Sequence, residues 1–179
     1  GMMFGYATNE TPELLPIPFV LATKALTLLR NFDDSIFLPD AKAQVSFDYD
    51  NRRITTFLIS TQHRDSVSVD ELRPVVEDIM ETAALEYDLN TDFKKLVNPT
   101  GRFVVGSSFA DTGVTGRKLA ADTYGGIGRI GGGSLSGKDP TKVDRSASYM
   151  ARYIAKNLVA AGVAHKIEVG LSYVIGVAE

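Results

Sequence analysis

The feature of the sequence that most constrains the fold is a run of ten residues with four glycines, Gly131-Gly132-Gly133-Ser134-Leu135-Ser136-Gly137-Lys138-Asp139-Pro140. Glycine adopts positive φ at little cost and lets a ligand approach the backbone, so the run favours an ordered loop. Asp139 and Pro140 are residue types preferred as the N-cap and the first residue of a helix. The sequence therefore predicts a glycine loop (residues 131–137) that leads into a helix at Pro140, whose N-terminal N–H groups face the loop and attract anions.

Positive charge is concentrated around the glycine loop. Two cations precede it and two follow it: Arg117, Lys118, Lys138 and Lys142. Such an arrangement suits a polyphosphate, so we predict phosphate binding; the alternative is a flexible glycine turn with unrelated surface lysines. A P-loop is not predicted, although Gly132, Gly137 and Lys138 have its spacing. Asp139 stands where a P-loop has the Ser or Thr that ligates Mg²⁺.

The composition narrows the class of protein. The net charge is −3, which argues against a non-specific binder of nucleic acid. There is no cysteine, so disulfides, thiol catalysis and cysteine-ligated zinc are excluded. No apolar run reaches the about 18 residues of a membrane-spanning helix, and no secretory leader is recognisable. We therefore expect a soluble, cytoplasmic protein.

Hydrophobic periodicity over roughly the first hundred residues predicts the order β-α-β-β-α-β. The predicted strands are residues 2–7, 44–49, 54–60 and 102–106. Asp50-Asn51 between the second and the third of them predicts the turn of a hairpin. The predicted helices are residues 18–30 and 69–87. Ser68 and Glu71 have the spacing of a capping box for the second helix. This pattern predicts an α+β fold, a sheet layer with helices on one face, in a domain of residues 1–106.

The remaining residues, 107–179, predict a partial second domain with the order β-α-β. Its predicted elements are a strand at 119–123, a helix at 140–161 and a strand at 167–177. The helix has an apolar stripe that we expect to be buried: Val143, Ala147, Met150, Ile154 and Leu158. No later strand follows the last one, so its unpaired edge is expected to invite pairing with a neighbouring chain.

Seven blocks spread over the chain carry a resemblance to a known family. They include Asn98-Pro99-Thr100-Gly101-Arg102-Phe103, Gly113-Val114-Thr115-Gly116-Arg117-Lys118 and the block from Gly131 to Tyr149. The others are residues 3–11, 39–45, 60–63 and 122–126. Together they resemble methionine adenosyltransferase (S-adenosylmethionine synthetase), in the family's order and over essentially the whole chain. The chain is similar to the complete middle domain and the first half of the last domain.

This resemblance implies a transferase that makes S-adenosylmethionine from ATP, L-methionine and water and releases phosphate and diphosphate. In the family, the methionine sulfur displaces the whole triphosphate from C5′ of ATP. Cations that stabilise charge on the leaving group should therefore dominate catalysis. The implied cofactors are Mg²⁺ and K⁺, and the implied assembly is a homo-oligomer, either a dimer or a tetramer.

Some of the family's machinery lies in parts that this chain does not match. The catalytic histidine, the K⁺ site and most methionine contacts belong to those parts. The resemblance therefore implies that this segment is inactive by itself. The alternative is a catalytically incomplete, synthetase-like protein that binds or assembles without turnover.

The resemblance also implies roles for individual residues. The implied ATP contacts are Asp40, Lys42, Arg102, Phe103, Asp111, Arg117, Lys118, Ser134 and Lys138. Among them, Arg117 and Lys138 are the implied catalytic cations, since they would face the triphosphate. Asp111 and Lys142 are implied methionine contacts, and Asp144 is an implied Mg²⁺ ligand.

Ordinary structural explanations exist for some of these residues. Phe103 fits the core of a strand, and Asp144 fits the first turn of a helix, where a carboxylate is favourable. His63 and His165 are expected to be solvated or structural.

The chain departs from the family pattern at three places. Ile130 replaces a histidine, Ser134-Leu135 replaces Ala-Phe, and Ser107–Ala110 replaces a stretch with glycine and proline. The last departure leads us to expect a different backbone around Asp111.

Overall fold

The computed structural model describes residues 1–32 and 36–177. The chain forms two compact units: the central unit, Pro18–Thr112, and the terminal unit, which combines Gly1–Ile17 with Gly113–Glu179. The strands are β1 (Met2–Thr8), β2 (Phe37–Asp48), β3 (Arg53–His63), β4 (Lys94–Val97) and β5 (Lys166–Ser172). The helices are α1 (Ile17–Arg30), α2 (Val69–Leu85), α3 (Ser107–Ala110), α4 (Leu119–Asp122) and α5 (Val143–Ala160). The mixture of sheets and helices confirms the predicted α+β class.

The central unit is built on a three-stranded sheet in the order β2-β3-β4. β2 and β3 form the predicted hairpin, with Val45 opposite Phe57, and β4 lies parallel to β3. The apolar side chains of β3 at Ile54, Phe57 and Ile59 are fully buried. α2 begins after Ser68 with the predicted capping box, in which Ser68 N–H donates to the Glu71 carboxylate at 2.8 Å.

The predicted strand at residues 102–106 is wrong, because the strand beside β3 is β4. The pairing of β3 with β4 ends just before Asn98. There the side chain of Asn98, instead of a strand backbone, makes hydrogen bonds to β3. Its amide oxygen accepts from Thr61 N–H at 2.8 Å, and its NH₂ group donates to the Thr61 carbonyl at 3.0 Å. Asn98 has a φ of +41°, and Pro99 has no N–H to donate. The chain therefore leaves the sheet at this point.

The terminal unit contains the two-stranded sheet formed by β1 and β5. The strands are antiparallel, with Met2 opposite Ser172 and Thr8 opposite Lys166. Pairing of the other edge of β5 with a neighbouring chain stays a prediction. The pairing with β1 corrects the expectation that β5 has no partner strand in its own chain. It also corrects the predicted sheet layer, because β1 lies in a different sheet from β2, β3 and β4. The pairing joins residues on both sides of the predicted boundary between domains 1–106 and 107–179, and that division stays a prediction.

Two predicted strand ranges in the second half of the chain are wrong. Residues 119–122 form α4, a single helical turn, and Thr123 follows it. Asp122 N–H donates to the Lys118 carbonyl at 2.9 Å, and the Thr123 hydroxyl donates to the Leu119 carbonyl at 2.7 Å. β5 ends at Ser172 instead of Val177, since its partner β1 begins at the opposite residue. The second domain therefore does not have the predicted β-α-β order.

The predicted start of α5 at Pro140 is also wrong, because the helix begins at Val143. Asp139 does not cap it. Its carboxylate instead accepts from Thr141 N–H at 2.9 Å and from the Thr141 hydroxyl. Hydrogen bonds from the Thr141 side chain and backbone hold the pKa of Asp139 below its usual range. The Asp139 carboxylate therefore stabilises a local turn and does not cap α5.

The buried face of α5 differs from the predicted stripe. The buried residues are Ala147, Ala151, Ala155 and Val159, whereas Met150 is 49% exposed and Leu158 is 36% exposed. The reason lies in β1, which approaches the helix at Gly5. A Cβ on Gly5 would lie 2.1 Å from the carbonyl carbon of Ala151. Only small residues on the helix permit this contact, so the alanine face packs on the sheet.

A single arginine of α5 ties down the turn that follows β1. Arg152 Nη1 donates to the Tyr6 and Leu14 carbonyls, both at 2.8 Å, and Nη2 donates to the Glu13 carbonyl at 3.0 Å. Burial lowers the pKa of Arg152. In the described ranges, 1–32 and 36–177, no helix has the length and apolar character needed to cross a membrane.

Candidate functional site

The predicted site residues are divided between the two units, and each group is described separately. The central unit contains Asp40, Lys42, Arg102, Phe103 and Asp111. The terminal unit contains Arg117, Lys118, Ser134, Lys138, Lys142 and Asp144. The assignment of these residues to a shared ligand stays a prediction.

Asp40 is held by the backbone of Ser107 and by the side chain of Gln62 near the end of β3. Its Oδ2 accepts from Ser107 N–H at 3.0 Å, and its own N–H lies 3.4 Å from Gln62 Oε1. Gln62 is buried and donates through Nε2 to the Val104 carbonyl at 3.0 Å. The Ser107 hydroxyl donates to Gln62 Oε1 at 3.1 Å. Asp40 is therefore joined to the segment that runs from Val104 to Ser107.

Phe103 is held through its backbone by His63, which is fully buried. His63 Nδ1 lies 2.9 Å from the Arg64 carbonyl, which can only accept, so Nδ1 carries the proton. His63 Nε2 then accepts from Phe103 N–H at 3.1 Å, and His63 N–H donates to the Phe103 carbonyl at 2.9 Å. These contacts confirm a structural role for His63. The ring of Phe103 is half-buried, and Phe103 does not lie in a strand.

The other three charged residues of this group are exposed. Arg102 forms an ion pair with the Asp65 carboxylate. Lys42 lies on β2 opposite Ser60, and Asp111 follows α3 directly. Within residues 1–32 and 36–177, no hydrogen bond or ion pair engages the side chain of Lys42 or Asp111. Both charges are therefore available to a ligand.

In the terminal unit, Lys138 and Asp144 form the best-defined pair of the site. Lys138 Nζ lies 2.5 Å from Asp144 Oδ2, and both side chains are about one-third exposed. The glycine loop packs directly on this pair, because a Cβ on Gly133 would lie 2.2 Å from Asp144 Cγ. At Gly131 a Cβ would lie 2.0 Å from the Met2 carbonyl oxygen, so the loop also packs on β1. The glycines are required by these contacts.

Arg145 is a residue of the site that sequence reasoning missed. Its Nη1 donates to the Lys138 carbonyl, and its guanidinium lies 5.4 Å from the centre of the Tyr149 ring. Its Nε is buried and has no hydrogen-bond partner among the described residues. A cation in the first turn of a helix opposes the helix dipole. That unfavourable position was the available signal that Arg145 has a specific partner.

Gln62 and His63 were not assigned site roles either. The available signal was a polar run, Ser60-Thr61-Gln62-His63, at the end of a strand whose preceding residues are apolar. Buried polar side chains have to find partners. Such a run therefore indicates a hydrogen-bonded network.

The other cations of the terminal unit are more exposed. Lys142 Nζ lies 4.0 Å from Asp139 Oδ2. Arg117 and Lys118 precede α4, and their side chains have no ion pair with any residue that the structure describes. Ser134 is half-buried beside Gly116, which has a φ of +81°. A Cβ on Gly116 would lie 2.8 Å from the Ser134 Cβ, so there is no room for a side chain at Gly116. Arg117 and Lys118 are near the glycine loop in sequence, and no carboxylate among the described residues neutralises them.

A small cavity, about 20 Å³ in volume, lies beside the glycine loop. It is lined by residues of β1, α4, the glycine loop and α5: Met2, Met3, Phe4, Leu119, Gly131 and Asp144 among them. Its volume is enough for about one water molecule and far below that of a small-molecule site. Burial raises the pKa of the nearby Tyr124 phenol, so this side chain stays neutral.

The donor set for a metal ion is small. Within the described ranges there is no cluster of three or more carboxylate, histidine or cysteine side chains. Asp144 offers a single carboxylate, whose Oδ2 lies 2.5 Å from Lys138 Nζ and against which the Gly133 backbone packs. Mg²⁺ is commonly held by one or two protein carboxylates together with substrate phosphates. Asp144 therefore fits an ion that arrives with a phosphate ligand.

Comparison with known proteins gives a consistent result over the whole chain. The family model described as S-adenosylmethionine synthetase, central domain, matches residues 1–103, and the model for the C-terminal domain of the same enzyme matches residues 105–179. The S-adenosylmethionine synthase of Mycoplasma capricolum is 51% identical over 187 residues, covering 100% of this chain and 48% of the relative. That of Streptococcus equi subsp. zooepidemicus is 51% identical, covering 100% of this chain and 47% of the relative.

A solved structure gives the same picture. An S-adenosylmethionine synthetase from Campylobacter jejuni, described as unusual, superposes with a TM-score of 0.91 at 39% identity. The alignment covers 99% of this chain and 50% of that chain. The chain thus spans about half the length of the curated relatives it matches.

Proposed function

The chain belongs to the S-adenosylmethionine synthetase family, and from this premise we propose that its protein transfers the adenosyl group of ATP to the sulfur of L-methionine. The observation that carries the proposal is the Lys138–Asp144 pair packed against Gly133. It fixes a cation beside the glycine loop, in which a Cβ on Gly132 would have no neighbour within 4 Å. Arg145 holds the backbone of Lys138 in place.

The proposed reaction needs charge stabilisation more than an activated side chain. The methionine sulfur forms a bond to C5′ of ATP with its lone pair, and the C5′–O bond breaks, so that the sulfur becomes a sulfonium and the triphosphate leaves with the electron pair. Water then cleaves the triphosphate to phosphate and diphosphate. Fixed cations that face the triphosphate lower the barrier because negative charge accumulates on it in the transition state. Lys138 and Arg117 have this role in the proposal.

The remaining residues are proposed to bind the substrates. The proposed ATP contacts are Asp40, Lys42, Arg102, Phe103, Asp111, Arg117, Lys118, Ser134 and Lys138. Asp111 and Lys142 are proposed to contact methionine. Asp144 is the residue proposed to hold Mg²⁺, which when bound would neutralise part of the charge on the triphosphate.

The test is a product assay on the protein as its gene encodes it. Incubation with ATP, L-methionine and Mg²⁺ is expected to yield S-adenosylmethionine together with equal amounts of phosphate and diphosphate. Omission of methionine is expected to abolish the sulfonium product. ATP binding without any product would favour a catalytically incomplete, synthetase-like protein, and a protein that neither binds ATP nor forms product would contradict both proposals.

We further propose a cytoplasmic homo-oligomer, a dimer or a tetramer. Exposed apolar side chains support self-association, since Tyr149, Met150 and Tyr153 of α5 are each about half exposed or more. Light scattering on the protein that is used for the assay is expected to give the mass of a dimer or a larger assembly. A monomer at the same concentration would contradict this part of the proposal.

A further inference from the structure

Ser107 adopts a backbone conformation that is unusual for its residue type. Its φ is +58°, in the left-handed region that a side chain with a Cβ disfavours. Asparagine, aspartate and glycine populate this region more readily than serine does. Such a conformation persists only where surrounding contacts over-determine it. The contacts of Ser107 must therefore stabilise this conformation.

Ser107 bridges two strands of the central unit through separate groups. Its N–H donates to Asp40 Oδ2 on β2 at 3.0 Å, and its hydroxyl donates to Gln62 Oε1 on β3 at 3.1 Å. Gln62 closes the arrangement, because the Asp40 N–H points at the same Oε1 at 3.4 Å. Ser107 makes both hydrogen bonds in the conformation with positive φ.

The residue before Ser107 packs too closely for the segment to shift. Gly106 is buried, and a Cβ there would lie 2.7 Å from Gln62 Cδ and 2.9 Å from Phe103 Cε2. Gln62 also holds the Val104 carbonyl. The segment from Phe103 to Ser107 is thus fastened to the Asp40 end of β2 by one connected set of contacts.

We propose that Ser107 is a positioning residue for nucleotide binding: it fixes the Asp40 carboxylate and the Phe103 segment in one arrangement before ATP arrives. This inference rests on the proposed function, in which Asp40 and Phe103 contact ATP. Preorganisation of this kind increases affinity by removing the cost of ordering the site on binding. Ser107 itself needs no contact with the reacting atoms.

The test uses Ser107→Gly and Ser107→Ala in the protein as its gene encodes it, with Ser108→Gly as a matched control. Both Ser107 variants lose the bond to Gln62, and the KM for ATP is expected to rise about 3- to 10-fold, as loss of one hydrogen bond produces. The kcat is expected to stay within about twofold, because the loss affects ground state and transition state alike. Ser108 is exposed and has no bond to Asp40 or Gln62, so its variant is expected to keep both constants.

A stability measurement separates positioning from a merely structural role. Glycine accepts positive φ, so Ser107→Gly is expected to unfold at the same or a higher urea concentration than the unsubstituted protein while its KM for ATP rises. Normal synthesis with an unchanged KM in both Ser107 variants would overturn the inference and leave the proposed function intact. If the unsubstituted protein binds ATP without turnover, the proposed function fails, and the inference is then tested by calorimetry. Weaker ATP binding by both Ser107 variants supports the inference, and binding equal to that of the unsubstituted protein overturns it. Absence of ATP binding altogether overturns both.

Discussion

Replacement of Gly5 by alanine is expected to lower the free energy of unfolding of the terminal unit by about 3 kcal/mol or more. The new methyl group would lie 2.1 Å from the carbonyl carbon of Ala151 and 2.2 Å from the nitrogen of Arg152. Both are backbone atoms of α5, so no side-chain rotation relieves the collision. The helix has to move away from β1, and the contacts of its alanine face are then lost. Urea denaturation followed by circular dichroism measures the change.

A second glycine of the same sheet provides the control. Gly170 of β5 lies opposite Phe4 of β1. A Cβ on Gly170 would meet only the Phe4 ring, at 3.2 Å. The ring can shift, so Gly170→Ala is expected to change the free energy of unfolding by less than about 1 kcal/mol. Equal losses in the two variants would show that the close packing of α5 on β1 is not what stabilises this unit.

Replacement of Lys138 by methionine is expected to lower the turnover number at least about 100-fold, while the KM for methionine changes much less. Methionine retains an unbranched apolar side chain but removes the ammonium group. Because that charge matters most when the triphosphate leaves, its loss is expected in kcat more than in substrate affinity. Steady-state kinetics with the protein as its gene encodes it provides both constants.

The same substitution at Lys156 serves as the matched control. Lys156 is an exposed lysine of α5 outside the proposed site, and Lys156→Met is expected to leave kcat unchanged. Removal of the Lys138 ammonium also leaves Asp144 without its partner, so circular dichroism has to show that the Lys138 variant is folded. A folded Lys138 variant with the turnover of the unsubstituted protein would remove Lys138 from the catalytic assignment.

Local sequence signals predicted the first half of the fold well. The Ser68–Glu71 capping box and the hairpin between β2 and β3 depend on neighbouring residues, and both were predicted correctly. The partner of β5 was not predictable in this way. Alternation identifies which face of a strand is buried but contains no information about the strand beside it.

The errors in α5 have a similar origin. Two stripes of this helix have helical spacing, one with Met150 and Leu158 and one with Ala147, Ala151 and Ala155. Hydrophobicity favours the first stripe, but the close approach of β1 at Gly5 selects the second. That choice depends on a residue far away in the chain, so periodicity alone gives the wrong face.

The site shows the same division between local and distant information. The glycine loop and its cations were recognisable because they are neighbours in sequence. The Lys138–Asp144 pair was not, since a spacing of six residues across a loop and a helix start has no fixed geometry. The network of Asp40, Gln62 and Ser107 brings together three segments, and only the folded chain reveals it.

The pairing of β1 with β5 has a consequence for the order in which the chain folds during synthesis. Residues 18–112, which form the central unit, are continuous in sequence and lie between the two parts of the terminal unit. The central unit can therefore form on the ribosome while β5 has not yet been made. β1 is synthesised before the central unit and cannot pair with β5 until residues 166–172 emerge. Contacts between such distant residues form slowly, and an unpaired strand is prone to aggregation in the interval. A strand that is synthesised before the central unit thus reaches its native partner only after that unit has been made.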